Sequence, residues 1–301
     1  MASFGSSVLT VARHEMADAT RSRRALVLVV LYLAGAVAAT LLFVKVLHEV
    51  ETQVVKSLGL DAARKAGGVS TTLWKSHPMR EGLIHLAGDE ELALQLLRLP
   101  PLALFFGWLS FTFTPLLVVL TASSRIAEEV LTGAVRFVLF RTTRFAWCVG
   151  KYLGQALQLL MALLVGACGV WVIGWLRLDA FESGSTALWI AVFAVKAWVY
   201  SLAYLGLATG VSQLCAGPNL ATSLAFLAML VVSALSAAGG HLAGAGFRQF
   251  WELASLLTPG GHKLDLWRGD AAHVLPAALF LVSLSLAYFS AGYARFAGRD
   301  L

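Results

Sequence analysis

Long stretches without a charged residue are the feature that most constrains this chain. A helix needs about 20 mostly apolar residues to cross the hydrocarbon core of a bilayer. Six stretches meet this requirement, and only the fourth contains a charge, Lys196: 25–44, 99–124, 152–176, 186–211, 219–238 and 271–293. The sequence therefore predicts an all-α polytopic membrane protein with six transmembrane helices, arranged as one transmembrane domain over 1–301.

The composition supports this fold class. The chain is 58% apolar and 13% charged, whereas an ordinary soluble domain is about 45–50% apolar and about 25% charged. A soluble globule could not bury so much apolar surface, and disordered chains are poor in apolar residues. The basic residues sit at the ends of apolar stretches instead of forming a stripe, so we expect a lipid bilayer as partner and no nucleic acid.

No motif for chemistry within the chain is present. The three cysteines are not spaced as CxxC, and His14-Glu15 is not completed to HExxH because position 18 is Asp18. We expect no metal site and no catalytic residues, since the predicted spans contain no paired carboxylates or histidine ligands.

The distribution of Lys and Arg predicts the orientation. Six spans place both termini on one side. The basic residues are denser in the N-terminal flank, in the loop after the second span and in the C-terminal tail than in the opposite loops 49–98, 177–185 and 239–270. By the positive-inside rule, we expect both termini in the cytoplasm and the chain in a bacterial inner membrane.

Three segments outside the spans have distinct patterns. Residues 1–24 place apolar side chains on one helical face, which predicts an interfacial helix. Residues 49–98 form a long outer excursion that ends in Asp89-Glu90-Glu91 and an apolar stripe, so we expect a helical lobe there. Residues 239–270 are too apolar for a free loop and are interrupted at 259–261, which favours a re-entrant or interfacial segment.

The loop 124–147 carries both charged residues and apolar bulk on the predicted cytoplasmic side. An apolar patch with a charged rim is typical of a docking surface for a soluble protein. A passive amphipathic connector is the alternative interpretation.

At this loop the sequence resembles a known family. Glu129, Gly133, Arg144 and Gly150-Lys151 follow the order and spacing of the cytoplasmic loop of ABC-2 type transporter permeases. The segments 12–23 and 256–260 resemble that family's N-terminal elbow helix and the stretch before its last span, so the resemblance covers the chain from end to end.

The resemblance implies a division of labour. A separate cytoplasmic ABC ATPase would bind ATP and Mg²⁺ and would move a coupling helix in 124–147, while a second permease copy would complete a homodimer. The chain itself lacks a GxxxxGK[ST] phosphate loop, so we expect a transport subunit that is not an enzyme and holds no cofactor. The residues assigned to ATPase coupling are Glu128, Glu129, Gly133, Arg136, Phe137, Phe140 and Arg144.

Two features inside the spans have alternative interpretations. Lys196 either lines a transport pathway or lies at the outer interface with its ammonium group extended toward the headgroups. Gly206 and Gly210 form a GxxxG pattern, which serves packing within the chain or the seam of a homodimer.

Three functional hypotheses remain open. The first is the permease subunit of an ATP-driven exporter. The second is an ABC permease that transmits force through 49–98 to a periplasmic protein for assembly or maturation. The third is an ion-coupled secondary transporter that uses Lys196.

Overall fold

The computed structural model describes residues 3–21, 23–58, 84, 89–178, 181–241 and 256–299. Within these ranges the regular structure is helical, without strands. Six segments are long and apolar enough to cross a membrane: Leu26–Glu49, Pro101–Leu131, Arg144–Arg177, Ser183–Leu214, Pro218–Ala237 and Ala271–Ala297. The predicted all-α membrane fold with six transmembrane helices is confirmed.

Eleven α-helices are defined in these ranges, and a 3₁₀ turn at Pro259–His262 precedes the tenth. In chain order they are α1 Phe4–Arg21, α2 Arg23–Leu58, α3 Glu90–Leu96, α4 Pro101–Ala122, α5 Arg125–Leu131, α6 Ala134–Leu139, α7 Arg144–Arg177, α8 Ser183–Leu214, α9 Pro218–His241, α10 Lys263–Trp267 and α11 Ala271–Ala297.

Several helices are longer than the bilayer requires. Helix α2 has 36 residues, which at 1.5 Å per residue is about 54 Å, against about 30 Å of hydrocarbon. It therefore continues past the first span into the start of the predicted outer lobe. The lobe residues 59–83 and 85–88 lie outside the described residues, as do residues 242–255 of the predicted re-entrant segment.

Helices α4 and α8 form the centre of the bundle. About two thirds of the most apolar stretch of Pro101–Leu131 is buried (67%), as is 61% of that of α8, against 17% for α2 and α9 and 22% for α11. The peripheral helices expose large apolar side chains such as Leu31, Leu227 and Leu279. In a bilayer these side chains contact lipid, which explains why the chain needs no polar outer face.

Glycines bring α8 and α11 into backbone contact. A Cβ atom added to Gly206 would lie 2.1 Å from the carbonyl oxygen of Ser285, and one added to Gly210 would lie 2.5 Å from that of Tyr288. From the other side, a Cβ on Gly292 would lie 2.4 Å from the carbonyl oxygen of Gly210. The GxxxG pattern therefore serves packing within the chain.

Helix α3 is present where the acidic cap and the apolar stripe predict it. Asp89 caps the helix by accepting a hydrogen bond from the Glu91 backbone N–H, and it forms a 2.5 Å ion pair with Arg268. The Gly269 N–H donates to the Gln95 side chain at 3.0 Å. The Glu91 N–H and the Arg268 guanidinium hold the pKa of Asp89 below its usual range. These contacts attach α3 to the segment that precedes the last span.

That segment packs into the bundle. The Trp267 ring lies 5.7 Å from the Phe111 ring and 5.2 Å from the Phe193 ring, measured between centroids. Phe111 and Phe193 are fully buried residues of α4 and α8. The Ser236 and Thr258 hydroxyl oxygens are 2.6 Å apart. The residues before α11 therefore contact the two central helices instead of forming a free loop.

Candidate functional site: a helical hairpin and a buried charge cluster

Helices α5 and α6 form a short hairpin between the second and third spans. They are joined at Gly133, whose φ of +73° is the left-handed conformation that glycine adopts without steric cost. The hairpin is fixed at its base, since Ile126, Ala127 and Val135 are buried. The Ala127 N–H donates to the Ser212 hydroxyl at 3.1 Å, so any displacement of α5 acts directly on α8.

The outer face of the hairpin is apolar with a charged rim. Phe137 and Phe140 are 77% and 85% exposed, the highest values among the large apolar side chains of the described residues. Glu128 and Arg136 lie exposed on the same hairpin. These four predicted coupling residues therefore share one accessible structure, which is typical of a protein-docking surface.

Glu129 differs from these four residues because its carboxylate is engaged inside the protein. Its Oε1 atom lies 2.5 Å from Nζ of Lys151, on α7. The same Nζ lies 2.6 Å from Oε2 of Glu15, on α1. One ammonium group thus joins three elements: the interfacial helix, the hairpin and the third span.

This charge cluster is shielded from water. The Lys151 and Glu15 side chains are 5% and 6% exposed, and Glu129 is 32% exposed. Buried charges are tolerated only when they are paired and hydrogen-bonded, because desolvation of an unpaired ion is costly. With one cation and two carboxylates, the cluster needs Lys151 more than it needs either acid.

Helix α1 lies close against α7 beside the cluster. A Cβ on Gly150 would lie 2.6 Å from Cβ of Val11, and a Cβ on Gly154 would lie 2.7 Å from Cβ of Glu15. The Gln158 amide also donates to the Glu15 carbonyl oxygen at 2.8 Å. The Gly150-Lys151 pair of the family pattern therefore has a physical role, since the glycine admits α1 and the lysine neutralises its carboxylate.

Arg144 holds the end of the last span. Its guanidinium donates to the carbonyl oxygens of Ala297 at 2.9 Å and Arg299 at 2.7 Å. These carbonyls have no partner in the helix, and a cation is favourable at the helix C-terminus. The Arg144 side chain therefore joins the start of α7 to the end of α11.

Lys196 belongs to a separate environment near the segment before the last span. Its Nζ donates to the Arg268 carbonyl oxygen at 2.7 Å and lies 5.8 Å from the centroid of the Phe193 ring. Since Arg268 is the C-cap of α10, Lys196 attaches this short helix to α8. A role of Lys196 in a transport pathway stays a prediction.

Glu15 and Gly154 are functional candidates that the sequence pattern did not assign to coupling. The sequence contains one pattern that points to these residues. Gly150 and Gly154 are four positions apart, which places both on one helical face where another helix can pack closely. The helix that packs on this face is α1, and Glu15 lies 136 positions before Lys151 in the chain. No local sequence pattern could therefore identify it.

The fold and the site together define a class of protein. A bundle of six membrane-spanning helices carries an exposed hairpin after its second span, and a buried charge cluster connects that hairpin to an N-terminal helix. This arrangement is typical of a polytopic membrane protein with a docking surface for a soluble protein on one side of the bilayer.

Comparison with protein families gives a result that agrees with this class. The model of the ABC-2 family transporter proteins matches residues 9–301, and the chain belongs to this family. No curated protein matches the chain. The resemblance identified from the loop motif is confirmed, and the family implies a multi-pass permease that works with an ABC ATPase in a lipid membrane.

Proposed function

We propose that this chain is the permease subunit of an ATP-driven ABC-2 type exporter in a bacterial inner membrane. Two copies pair, and a separate cytoplasmic ATPase docks on the α5–α6 hairpin of each copy. The observation that carries the proposal is the exposure of the hairpin, on which Phe137 and Phe140 are 77% and 85% exposed and Glu128 and Arg136 are also exposed.

The orientation of the proposed complex follows from the charge distribution. The hairpin, the α8–α9 turn and both ends of the chain share one side of a six-span bundle. The basic flanks on that side favour the cytoplasm. An ATPase in the cytoplasm therefore meets the hairpin and not the α3–α10 region opposite.

The charge cluster gives the proposed docking surface a mechanical connection. When ATP closes the ATPase pair, it moves the hairpin, and α5 with it, through the contacts of Phe137 and Phe140. Glu129 passes that displacement to Lys151 of the third span and onward to Glu15 of α1. The Ala127–Ser212 hydrogen bond carries it to α8 in parallel. Because these contacts connect them, the spans then move together.

Pairing of two copies is consistent with the outer surfaces. Helices α2, α9 and α11 bury few residues within one chain, which leaves apolar faces for lipid and for a second copy. The family resemblance implies a pathway built from two six-span halves.

The test measures ATP hydrolysis by the purified ATPase reconstituted with the permease in lipid vesicles. Phe137→Ala combined with Phe140→Ala should lower the apparent affinity of the ATPase at least tenfold, because buried aromatic contacts dominate the binding energy of interfaces. Trp175→Ala is the matched control. Trp175 is 61% exposed but lies at the opposite end of α7.

Glu128→Lys tests the charged rim in the same assay. The loss of affinity for the ATPase should be larger at low salt than at high salt, because salt screens charge interactions. Unchanged docking and unchanged ATPase stimulation in the double phenylalanine variant would overturn the assignment of this hairpin.

A further inference from the structure

A polar cavity of about 520 Å³ opens between the ends of α8 and α11, on the same side of the bundle as the hairpin. Cavities of about 300–1,000 Å³ are typical of sites for small ligands. Its lining residues are Gln213, Leu214, Ala294, Arg295, Gly298 and Arg299. The residues of the hairpin and of the charge cluster do not line it.

Gln213 is the unusual residue of this cavity. It is 1% exposed, and neither its Oε1 nor its Nε2 atom has a hydrogen-bond partner among the described residues. Gly292 leaves room for it, because a Cβ there would lie 2.7 Å from Gln213 Oε1. A buried amide without partners is unfavourable, so a ligand that supplies both a donor and an acceptor would stabilise it.

The cavity also carries two positive charges. Arg295 is exposed, and Arg299 is half-buried with Nη1 donating to the Cys215 carbonyl oxygen at 3.0 Å. Within the described ranges, no carboxylate forms an ion pair with either guanidinium. Arg144 binds the Arg299 carbonyl oxygen at 2.7 Å, so the backbone that presents Arg299 is held in place.

We propose that this cavity binds a phosphate ester. Arg295 and Arg299 bind the phosphate oxygens, since guanidinium groups match phosphate geometry, and the Gln213 amide binds a hydroxyl group of the ester. The cavity lies at the ends of two transmembrane helices, where headgroups are found, so an anionic phospholipid of that leaflet is the favoured source. This placement rests on the membrane orientation of α8 and α11 and not on coupling to an ATPase.

The experiment uses the purified full-length chain in a phosphate-free detergent, without the ATPase. Native mass spectrometry measures the Kd of phosphatidylglycerol, and a second arm measures the Kd of glycerol 3-phosphate. Arg295→Gln and Gln213→Leu should each weaken phosphatidylglycerol binding at least tenfold. Arg13→Gln is the matched control, because it removes the same charge from an exposed site on α1.

Each outcome decides the proposal. Loss of lipid binding in the two cavity variants alone supports the lipid source. Cavity-dependent binding of glycerol 3-phosphate without lipid binding supports the site with a soluble ester. Equal affinities in wild type and cavity variants, or an equal loss in Arg13→Gln, would overturn the site. If Gln213→Leu does not fold, the exposed Arg295→Gln still decides.

Discussion

Lys151 shows how one residue can determine the behaviour of three elements. Its ammonium group is bound by a carboxylate of α1 and by a carboxylate of the hairpin, in a setting almost without water. Such a cluster resists separation of its parts, because each carboxylate would lose its counter-ion before it could reach solvent. The cluster therefore favours movement of the hairpin, α1 and α7 together.

The first prediction concerns the charge balance of this cluster. Lys151→Met leaves the buried Glu15 carboxylate and the partly exposed Glu129 carboxylate without a cation, and should cost about 3–5 kcal/mol. Glu15→Gln leaves a neutral Lys151–Glu129 pair and should cost about 1–3 kcal/mol. The free energy of unfolding of each variant is measured in detergent, with tryptophan fluorescence as the signal, and shows which variant loses more stability. Equal losses in both variants would contradict the shared-cation interpretation.

The second prediction concerns the hairpin turn. Gly133→Ala should cost about 1–2 kcal/mol, because φ is +73° and an L-residue is strained there. No atom lies within 4 Å of the added Cβ, so the effect comes from the backbone alone. Gly133→Asn should recover part of the loss. The control is Gly35→Ala, also in open space but in a helix, and a loss there as large as at Gly133 would refute the argument.

At the scale of single residues, the loop pattern did not show which side chains have partners within the chain. Phe137, Phe140 and Glu128 are exposed, and their role in docking an ATPase stays a prediction. Glu129 and Arg144 were assigned to the same surface, yet each is bound within the chain, to Lys151 and to the end of α11. Charge pattern alone does not show which of two adjacent glutamates faces inward.

At the scale of elements, close helix packing connects the hairpin to the rest of the bundle. Helix α8 receives the Ala127 hydrogen bond near its end and contacts α11 through Gly206 and Gly210. Helices associate in membranes through such small-residue contacts, since lipid tails offer no hydrophobic driving force. The α8–α11 pair is therefore a rigid unit next to the hairpin.

The third prediction tests that unit. Gly206→Ala places a methyl group 2.1 Å from a carbonyl oxygen of α11, and overpacking of this kind costs about 1–3 kcal/mol. The unfolding midpoint should fall relative to Gly35→Ala, whose added methyl group meets nothing within 4 Å. A midpoint equal to that control would mean that α8 and α11 separate easily.

The fourth prediction concerns the pH dependence of α3. The pKa of Asp89 is lowered in the folded protein, so its charge stabilises the fold above the ordinary aspartate pKa of about 3.9. This stabilisation is lost as the pH falls through the lowered value. The difference in unfolding midpoint between wild type and Asp89→Asn should stay constant above about pH 5 and shrink below about pH 4. A difference that grows on acidification would contradict the Asp89–Arg268 contact.

Helix boundaries show what the sequence could and could not predict. The search for apolar stretches with at most one charge located all six spans, because insertion of a charge into hydrocarbon is costly. It placed the start of the third span at 152, after Lys151, whereas α7 begins at Arg144. The helix begins there because Thr143 caps it, its side chain accepting a hydrogen bond from the Ala146 N–H. Within the helix, Lys151 is paired with Glu15 and Glu129. The search likewise ended the first span at 44, although α2 continues to Leu58, beyond the thickness of the bilayer.

At the scale of the whole molecule, the two sides of the bundle carry different structural features. One side holds the hairpin, the charge cluster, α1, the end of α11 and the cavity for which we propose a phosphate ester. The other side holds α3 and the segment before the last span, joined by the Asp89–Arg268 pair. In the mechanism we propose, an ATP-driven displacement on the first side would reach the second through α4, α7 and α8.

The fifth prediction tests this sidedness. Green fluorescent protein fused after residue 301 should fluoresce in bacterial cells, because it folds in the cytoplasm. Alkaline phosphatase inserted near residue 75 should be active, because it needs the oxidising periplasm. The reverse pattern would place the hairpin outside the cell and exclude a cytoplasmic ATPase as its partner.

We propose that this permease works with a separate ATPase, and the decisive experiment is purification of the tagged chain in mild detergent. Two copies of the chain should retain two copies of a subunit with a GxxxxGK[ST] loop, and the complex should hydrolyse ATP with vanadate sensitivity. A homogeneous single-subunit preparation that transports without ATP would rule out an ATPase partner. It would favour the ion-coupled secondary transporter, with Lys196 as the first residue to replace.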